Sequence, residues 1–295
     1  MQLSLPESVP SNSPLHLVVG LARWYEQTFA KFVARAHLCV SSFMRAELTA
    51  PPWGLAADRV RVLHDKPPQE FRRLSPKEIH MFLSTQDFAK TDQPRHTIIT
   101  EPPGVHRDPR PLLLVTSTSW TPDEDFSLLL RALDIYESAA ASRGGLQRIF
   151  LVITGRGPLR SYYETLLSQR AYTHIQTHLA WLDASDYPLL LGSADLGVCL
   201  HASSSGVDLP MKVVDMQGAG LPVLALAYRA IGESVKDGVD GALFGDGEEL
   251  GRLLVRAGGA GGREWVRELS QGVGRDGVRW EENWEACVGD LFDDE

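Results

Sequence analysis

No apolar run in this chain reaches the roughly 18 residues that a membrane-spanning helix needs. The opening Met1-Gln2-Leu3-Ser4-Leu5-Pro6 has neither the basic flank nor the apolar core of a secretory leader. Cysteine is scarce: three in 295 residues, at positions 39, 199 and 287. That odd, scattered set offers no metal-ligand spacing and no disulfide framework, and it suits a reducing compartment. Positive charge is in deficit, with 29 Lys and Arg against 38 Asp and Glu and a net charge of -9. Bulk electrostatics therefore gives no footing for nucleic-acid binding. The remaining balance, 43% hydrophobic and 23% charged, is that of a globular protein with one large or two medium domains.

Residues 1–14, rich in Pro and Ser, are expected to be a disordered lead-in. Periodicity predicts a helix over 17–36, with Leu17, Leu21, Trp24, Tyr25, Phe29 and Phe32 roughly on one face. A short strand at 38–40, a helix opened by Ser41 or Ser42, and a strand at 60–63 follow. From 71 to 110 prolines and charges break the pattern, so a partly helical stretch near 77–82 and then a flexible linker are expected.

From Pro111 onward, short apolar runs alternate with helical patterns: strands at 112–115, 149–153, 174–180, 194–200, 221–225 and 241–244. Such alternation predicts an α/β domain, a doubly wound parallel sheet with ligands at the carboxyl ends of its strands. The polar loops at those ends are the candidate site. The first holds Ser117, Ser119 and Trp120, then Asp123-Glu124-Asp125 heading a helix. This acidic trio could pass for a metal-binding Asp-x-Asp, but carboxylates that complement a helix N-terminus explain it better. The second is Gly155-Arg156-Gly157, where glycine lets backbone approach a ligand and Arg156 either touches a phosphate or faces water.

The third loop organises the others. After the strand ending at Leu200 come Ser203, Ser204, Ser205 and Gly206, small residues that let backbone N–H groups approach an anion. Asp208 is placed as an N-cap and Pro210 at the first helical position. Lys212 then falls in the first turn, where the helix dipole disfavours a cation, with Asp215 one turn on. Two readings stand. An anion such as a diphosphate compensates Lys212, with Asp215 accepting from a sugar hydroxyl; or Lys212 merely extends to water from a capped helix.

The string Ser203-Ser204-Ser205-Gly206, then Asp208-Leu209-Pro210-Met211-Lys212-Val213-Val214-Asp215-Met216, resembles the donor motif of the chitobiosyldiphosphodolichol beta-mannosyltransferases. These are glycosyltransferases of the GT-B type, with two Rossmann-like domains. Shorter matches are Ala22-Arg23-Trp24-Tyr25-Glu26, Met44-Arg45, Asp65-Lys66-Pro67, Ser117 to Phe126, and Trp280-Glu281-Glu282-Asn283-Trp284. Related enzymes carry a looser Glu-x7-Glu pattern here. Asp215 falls where their second Glu stands, and Val207 occupies the place of the first, so no first-Glu role transfers.

The resemblance implies inverting transfer of mannose from GDP-mannose to chitobiosyl-diphosphodolichol, at the cytosolic face of the endoplasmic reticulum membrane. Donor-binding residues would be Ser117, Ser119, Trp120, Gly155, Gly157, Ser203, Ser204, Ser205, Gly206, Lys212 and Asp215. Trp181 and Leu182 would flank the base. No metal and no other cofactor is expected. Implied partners are the nucleotide sugar, the dolichol-linked acceptor and other mannosyltransferases of the lipid-linked oligosaccharide. The resemblance starts near Leu15, so the membrane anchor and most of the first domain of the family are expected to have no counterpart here. Residues 15–71 then read as a remnant of the acceptor-side domain, 72–110 as linker, and 111–295 as the donor domain, ending in a helix that crosses back. The catalytic base would lie in the absent part and no residue is assigned to it. The alternative is a truncated, non-catalytic relative that binds a nucleotide sugar or a partner subunit.

Overall fold

The computed structural model describes residues 14–89, 110–203, 205–275 and 277–292. The expected lead-in, but for Pro14, and most of the expected linker lie outside them. The chain forms two compact units, residues 1–64 with 283–295, and residues 65–282.

The first unit contains α1 (Pro14–Val33), β1 (His37–Cys39), α2 (Ser42–Thr49) and β2 (Val60–Val62). β1 and β2 pair in parallel. Cys39, Leu55 and Val60 are buried in a small core beside Met44 and Leu48. Ser41 caps α2 by accepting from the Met44 N–H at 3.0 Å. The apolar residues of α1 noted above are all exposed, from 45% at Phe29 to 79% at Leu17 and Phe32.

The second unit opens with α3 (Pro76–Thr85), held by a capping box in which Ser75 and Glu78 bond reciprocally. A six-stranded parallel sheet follows: β3 (Leu112–Ser117), β4 (Ile149–Thr154), β5 (Ile175–Ala180), β6 (Leu196–Cys199), β7 (Val223–Leu226) and β8 (Gly241–Phe244). Its helices are α4 (Phe126–Arg143), α5 (Arg160–Ser168), α6 (Asp186–Ser193), α7 (Met211–Gly218), α8 (Gly247–Gly258) and α9 (Gly262–Gly272), with α10 (Trp280–Val288) reaching into the first unit from Asn283.

The strand alternation sorts the core into two layers. Leu112 and Leu114 of β3 face one cluster, with Leu129, Leu133 and Leu254 of the helices. Leu113 and Val115 face the other, with Phe82, Leu83, Leu190 and Val213. Both faces of β3 are sealed, which is why its sequence is continuously apolar instead of alternating. Each fully buried Leu contributes about 1.5–3 kcal/mol. At the amino end of the sheet Asp195 receives two hydrogen bonds from Arg110, at 2.6 and 2.9 Å, and one from the Leu113 N–H. Among the described residues no helix is long and apolar enough to cross a membrane.

The strand order is β5-β4-β3-β6-β7-β8. The chain builds outward from β3 in one direction, then returns to β6 beside β3 and builds the other way. The reversal between β3 and β6 is a topological switch point, and in open sheets of this kind ligands lie at the carboxyl ends of the strands beside it.

Candidate donor site at the switch point

The β3–α4 and β6–α7 loops meet at that point. Their backbones form an antiparallel bridge between Glu124 and His201, and the Ala202 N–H donates to the Asp123 carbonyl at 3.3 Å. Glu124 is only 2% exposed. Its carboxylate accepts from the Thr118 hydroxyl at 2.6 Å, from the Ser119 N–H at 2.7 Å, and from the Lys212 ammonium.

This changes the reading of both charged residues. Lys212 does sit in the first turn of α7, against the dipole, but its compensation inside the protein is Glu124. Nor does Glu124 complement a helix N-terminus, because α4 begins two residues later with Asp125 as its N-cap. The acidic trio is thus three separate devices. Asp125 accepts from the Ser127 N–H at 2.9 Å. Glu124 holds Lys212. Asp123 lies 3.5 Å from the His201 ring, and a hydrogen bond from Thr121, together with that imidazole, lowers its carboxyl pKa.

Asp208 is not the helix cap either. α7 starts at Met211, and Pro210 holds the N-cap position with no side-chain bond. Asp208 takes the hydroxyls of Ser203 and Ser205 instead, the latter at 3.2 Å. The Gly206 N–H donates to the Ser203 oxygen at 2.8 Å, and Gly206 turns the chain at φ 73°. The loop thus folds on its own carboxylate, and its two described serine hydroxyls are engaged there. Ser204 lies outside the described residues. Val207 is buried, in keeping with the missing first Glu.

Asp215 turns to a different partner from Lys212. It shares a hydrogen bond with Tyr187 of α6, and burial, opposed by that bond and added to by Glu70, raises its pKa to about 6. The Tyr187 hydroxyl also lies 3.0 Å from the Ser117 hydroxyl, which accepts from Thr154 at 3.2 Å. Four groups from β3, β4, α6 and α7 therefore form one polar chain across the strand ends. Tyr187 carried no sequence signal, since a tyrosine near a helix start is ordinary until the sheet order is known.

Trp120 is a core residue. It is 1% exposed, and its ring packs on Phe126 at 4.5 Å between centroids. Its backbone is left-handed, φ 51°, a conformation uncommon for a bulky side chain. The indole N–H donates to the Gly155 carbonyl at 3.2 Å. Gly155 and Gly157 serve the same joint: a Cβ on either would stand 1.8 Å from a backbone carbonyl, of Thr118 or Ser119 respectively. Their missing side chains admit the neighbouring loop, which is a different use from the approach of a ligand. Ser119 remains exposed at the rim. Arg156 faces outward and stacks on exposed Trp181, 3.9 Å from the ring centroid.

The six-stranded parallel sheet with helices on both faces is a Rossmann-like unit of the GT-B glycosyltransferase fold. The structure of Anabaena HepE in complex with UDP and glucose has this fold: the TM-score is 0.63 at 16% identity, over 96% of this chain and 69% of that one. The family described as glycosyl transferases group 1 matches residues 110–257, and the chain belongs to it. It is 42% identical to mouse chitobiosyldiphosphodolichol beta-mannosyltransferase over 94% of its own length and 60% of the relative. The Arabidopsis thaliana protein named UDP-glycosyltransferase TURAN is 39% identical, over 94% of this chain and 66% of the relative. The chain therefore spans less than two thirds of the length of these relatives.

Proposed function

We propose that the switch-point loops hold the diphosphate of GDP-mannose, and that the chain serves the transfer of mannose to chitobiosyl-diphosphodolichol. The observation that carries this reading is the meeting of Lys212 and the Ser119 amide on Glu124, at the backbone bridge that joins the loops after β3 and β6, in a chain 42% identical to an enzyme named for that reaction. An arriving diphosphate would share Lys212 with Glu124 and draw on the amides of the first turn of α7, which has no side-chain cap. In transfer the same groups would stabilise charge developing on the leaving diphosphate. Asp215 would accept from a sugar hydroxyl, and Trp181 with Arg156 would flank the base. By the same likeness the working place is the endoplasmic reticulum membrane, with the dolichol-linked acceptor and other mannosyltransferases of that lipid as partners.

Calorimetric titration with GDP and with UDP tests the donor assignment. Tighter binding of GDP supports it, whereas preference for UDP moves the chain towards the donor class in TURAN's name. A second reading is a chain that binds a nucleotide sugar or a partner subunit without transfer activity of its own. Under that reading GDP binds and these 295 residues alone give no detectable transfer. Holding donor and acceptor together is worth about 7–11 kcal/mol of the barrier, so a chain that binds the donor alone would show no measurable transfer. Turnover by the chain alone would place the acceptor site within it.

A further inference from the structure

Arg156 and Trp181 stand just past the carboxyl ends of β4 and β5, beyond the polar chain gathered at the switch point. The Arg156 guanidinium carbon lies over the exposed Trp181 ring, 3.9 Å from its centroid. A guanidinium that close to an aromatic face stacks on it. Its five N–H donors lie in its own plane, so the stack uses a face and leaves the donors directed sideways across the indole.

The backbone beneath is held firmly. Arg156 stands between Gly155 and Gly157, each seated against a carbonyl of the loop after β3, and the Trp120 indole N–H donates to the Gly155 carbonyl at 3.2 Å. A ligand that uses this stacked pair therefore loses little free energy in ordering it.

Position sets what can arrive there. Ser117, Thr154 and Ala180 are neighbours across β3, β4 and β5, Trp181 follows Ala180, and β6 flanks β3 on its other side. Neighbouring strands lie about 4.8 Å apart, so the three steps from β6 to β5 span roughly 14 Å. An extended nucleoside diphosphate with its phosphates at the β6–α7 loop covers that distance and brings its base to Trp181. A base laid on the indole beside Arg156 is coplanar with the guanidinium and meets its donors edge-on. Paired donors in one plane match two adjacent acceptors. Guanine offers O6 and N7 side by side, adenine places a donor next to N7, and a pyrimidine presents a single O4 acceptor on that edge.

We propose that Arg156, stacked on Trp181, is the residue that selects guanine, bonding O6 and N7 through its paired N–H donors. This assignment rests on the donor reading above and gives a physical reason for preferring GDP to UDP.

Calorimetric titration of the full chain with GDP, UDP and 7-deaza-GDP, which has carbon in place of N7, tests it alongside Arg156→Ala and Arg156→Lys. Arg156 is exposed, so neither change disturbs the core. The parent should bind GDP over UDP by about fivefold to a hundredfold, the range for one bidentate base contact, and should bind 7-deaza-GDP more weakly than GDP. In Arg156→Ala both ratios should fall close to one. Arg156→Lys keeps the charge without the planar fork, and should lose most of the preference too. A parent with no preference for GDP would overturn the donor reading and this assignment with it. A parent that prefers GDP, with that preference intact in either variant or with GDP and 7-deaza-GDP bound alike, would overturn the assignment and leave the donor reading standing.

Discussion

Lys212 and Glu124 form an ion pair across the switch point, joining the first turn of α7 to the loop after β3. Glu124 is buried and also holds Thr118 and Ser119, so the pair fixes the shape of the candidate site as well as its charge.

Removing either partner should therefore be felt without any ligand. Breaking a buried pair on one side costs up to about 3–5 kcal/mol, because the other charge stays behind. Lys212→Ala is expected to lower stability in denaturant unfolding and also to weaken GDP binding. Replacing both, Glu124→Gln with Lys212→Met, should recover much of the stability and none of the binding. A single Lys212→Ala as stable as the parent would show that the pair contributes little.

Asp215 predicts a pH dependence. Its pKa is near 6 in the fold against 3.8 unfolded, so between those values the folded state holds more protons. Stability then falls as pH rises from about 4 to 6 and levels above, by on the order of 1 kcal/mol after solvent screening. Asp215→Asn should remove that segment of the stability curve. The parent should bind the donor more tightly as pH rises through about 6, where the carboxylate becomes an acceptor. A flat binding profile across that window would take Asp215 out of the site.

Tyr187 offers a test through its neighbour. Its hydroxyl bond holds the Asp215 pKa down against burial, so Tyr187→Phe should push that pKa above its present value. The midpoint of the donor-binding pH profile should move upward, with a stability loss of about 1–3 kcal/mol for the polar groups left unpaired. An unmoved midpoint with lost stability would make Tyr187 purely structural.

Gly157→Ala should destabilise the second unit, since its Cβ would meet the Ser119 carbonyl at 1.8 Å. Forcing an extra carbon into such a joint typically costs about 1–3 kcal/mol. Relief by moving the β3–α4 loop would also displace Ser119, so GDP affinity should fall alongside stability. Thermal unfolding and calorimetry of the variant check both.

Nucleotide binding is expected to be equal in chelator and in magnesium or manganese. Asp123, Glu124 and Asp125 are each engaged separately, by Thr121 and His201, by Lys212, and by the α4 amide of Ser127. Strong loss of binding in chelator would reverse this.

The sheet was legible in the sequence because sealed parallel strands are continuous apolar runs, as at 149–153, and these runs alternate with helical patterns. The helix after Leu200 was legible in kind but not in its start: Asp208, a good cap by type, is drawn off by two serines. The sequence offers Lys212 a bound anion or water, whereas the fold pairs it with Glu124, 88 residues earlier and beyond any local pattern. The resemblance implies donor contact for Trp120 and the two glycines, and the structure adds that the Trp120 side chain is buried and that each glycine lies close against the loop after β3. Their close approach to one another depends on the spacing of β3 and β4, which no sequence window contains.

The order of the strands also dictates when the site can exist. A ribosome delivers β3, β4 and β5 first, with their helices, and these form one continuous half of the sheet. Glu124 emerges with that half and has no cation until α7 follows 88 residues later. At about 5–20 residues per second that interval lasts several seconds. During it the loop after β3 holds a carboxylate with only Thr118 and Ser119 to satisfy it, and an uncovered β3 edge waits for β6. The candidate site is the seam closed when the second half docks, so a nascent chain halted before Leu196 should expose both the edge and the charge.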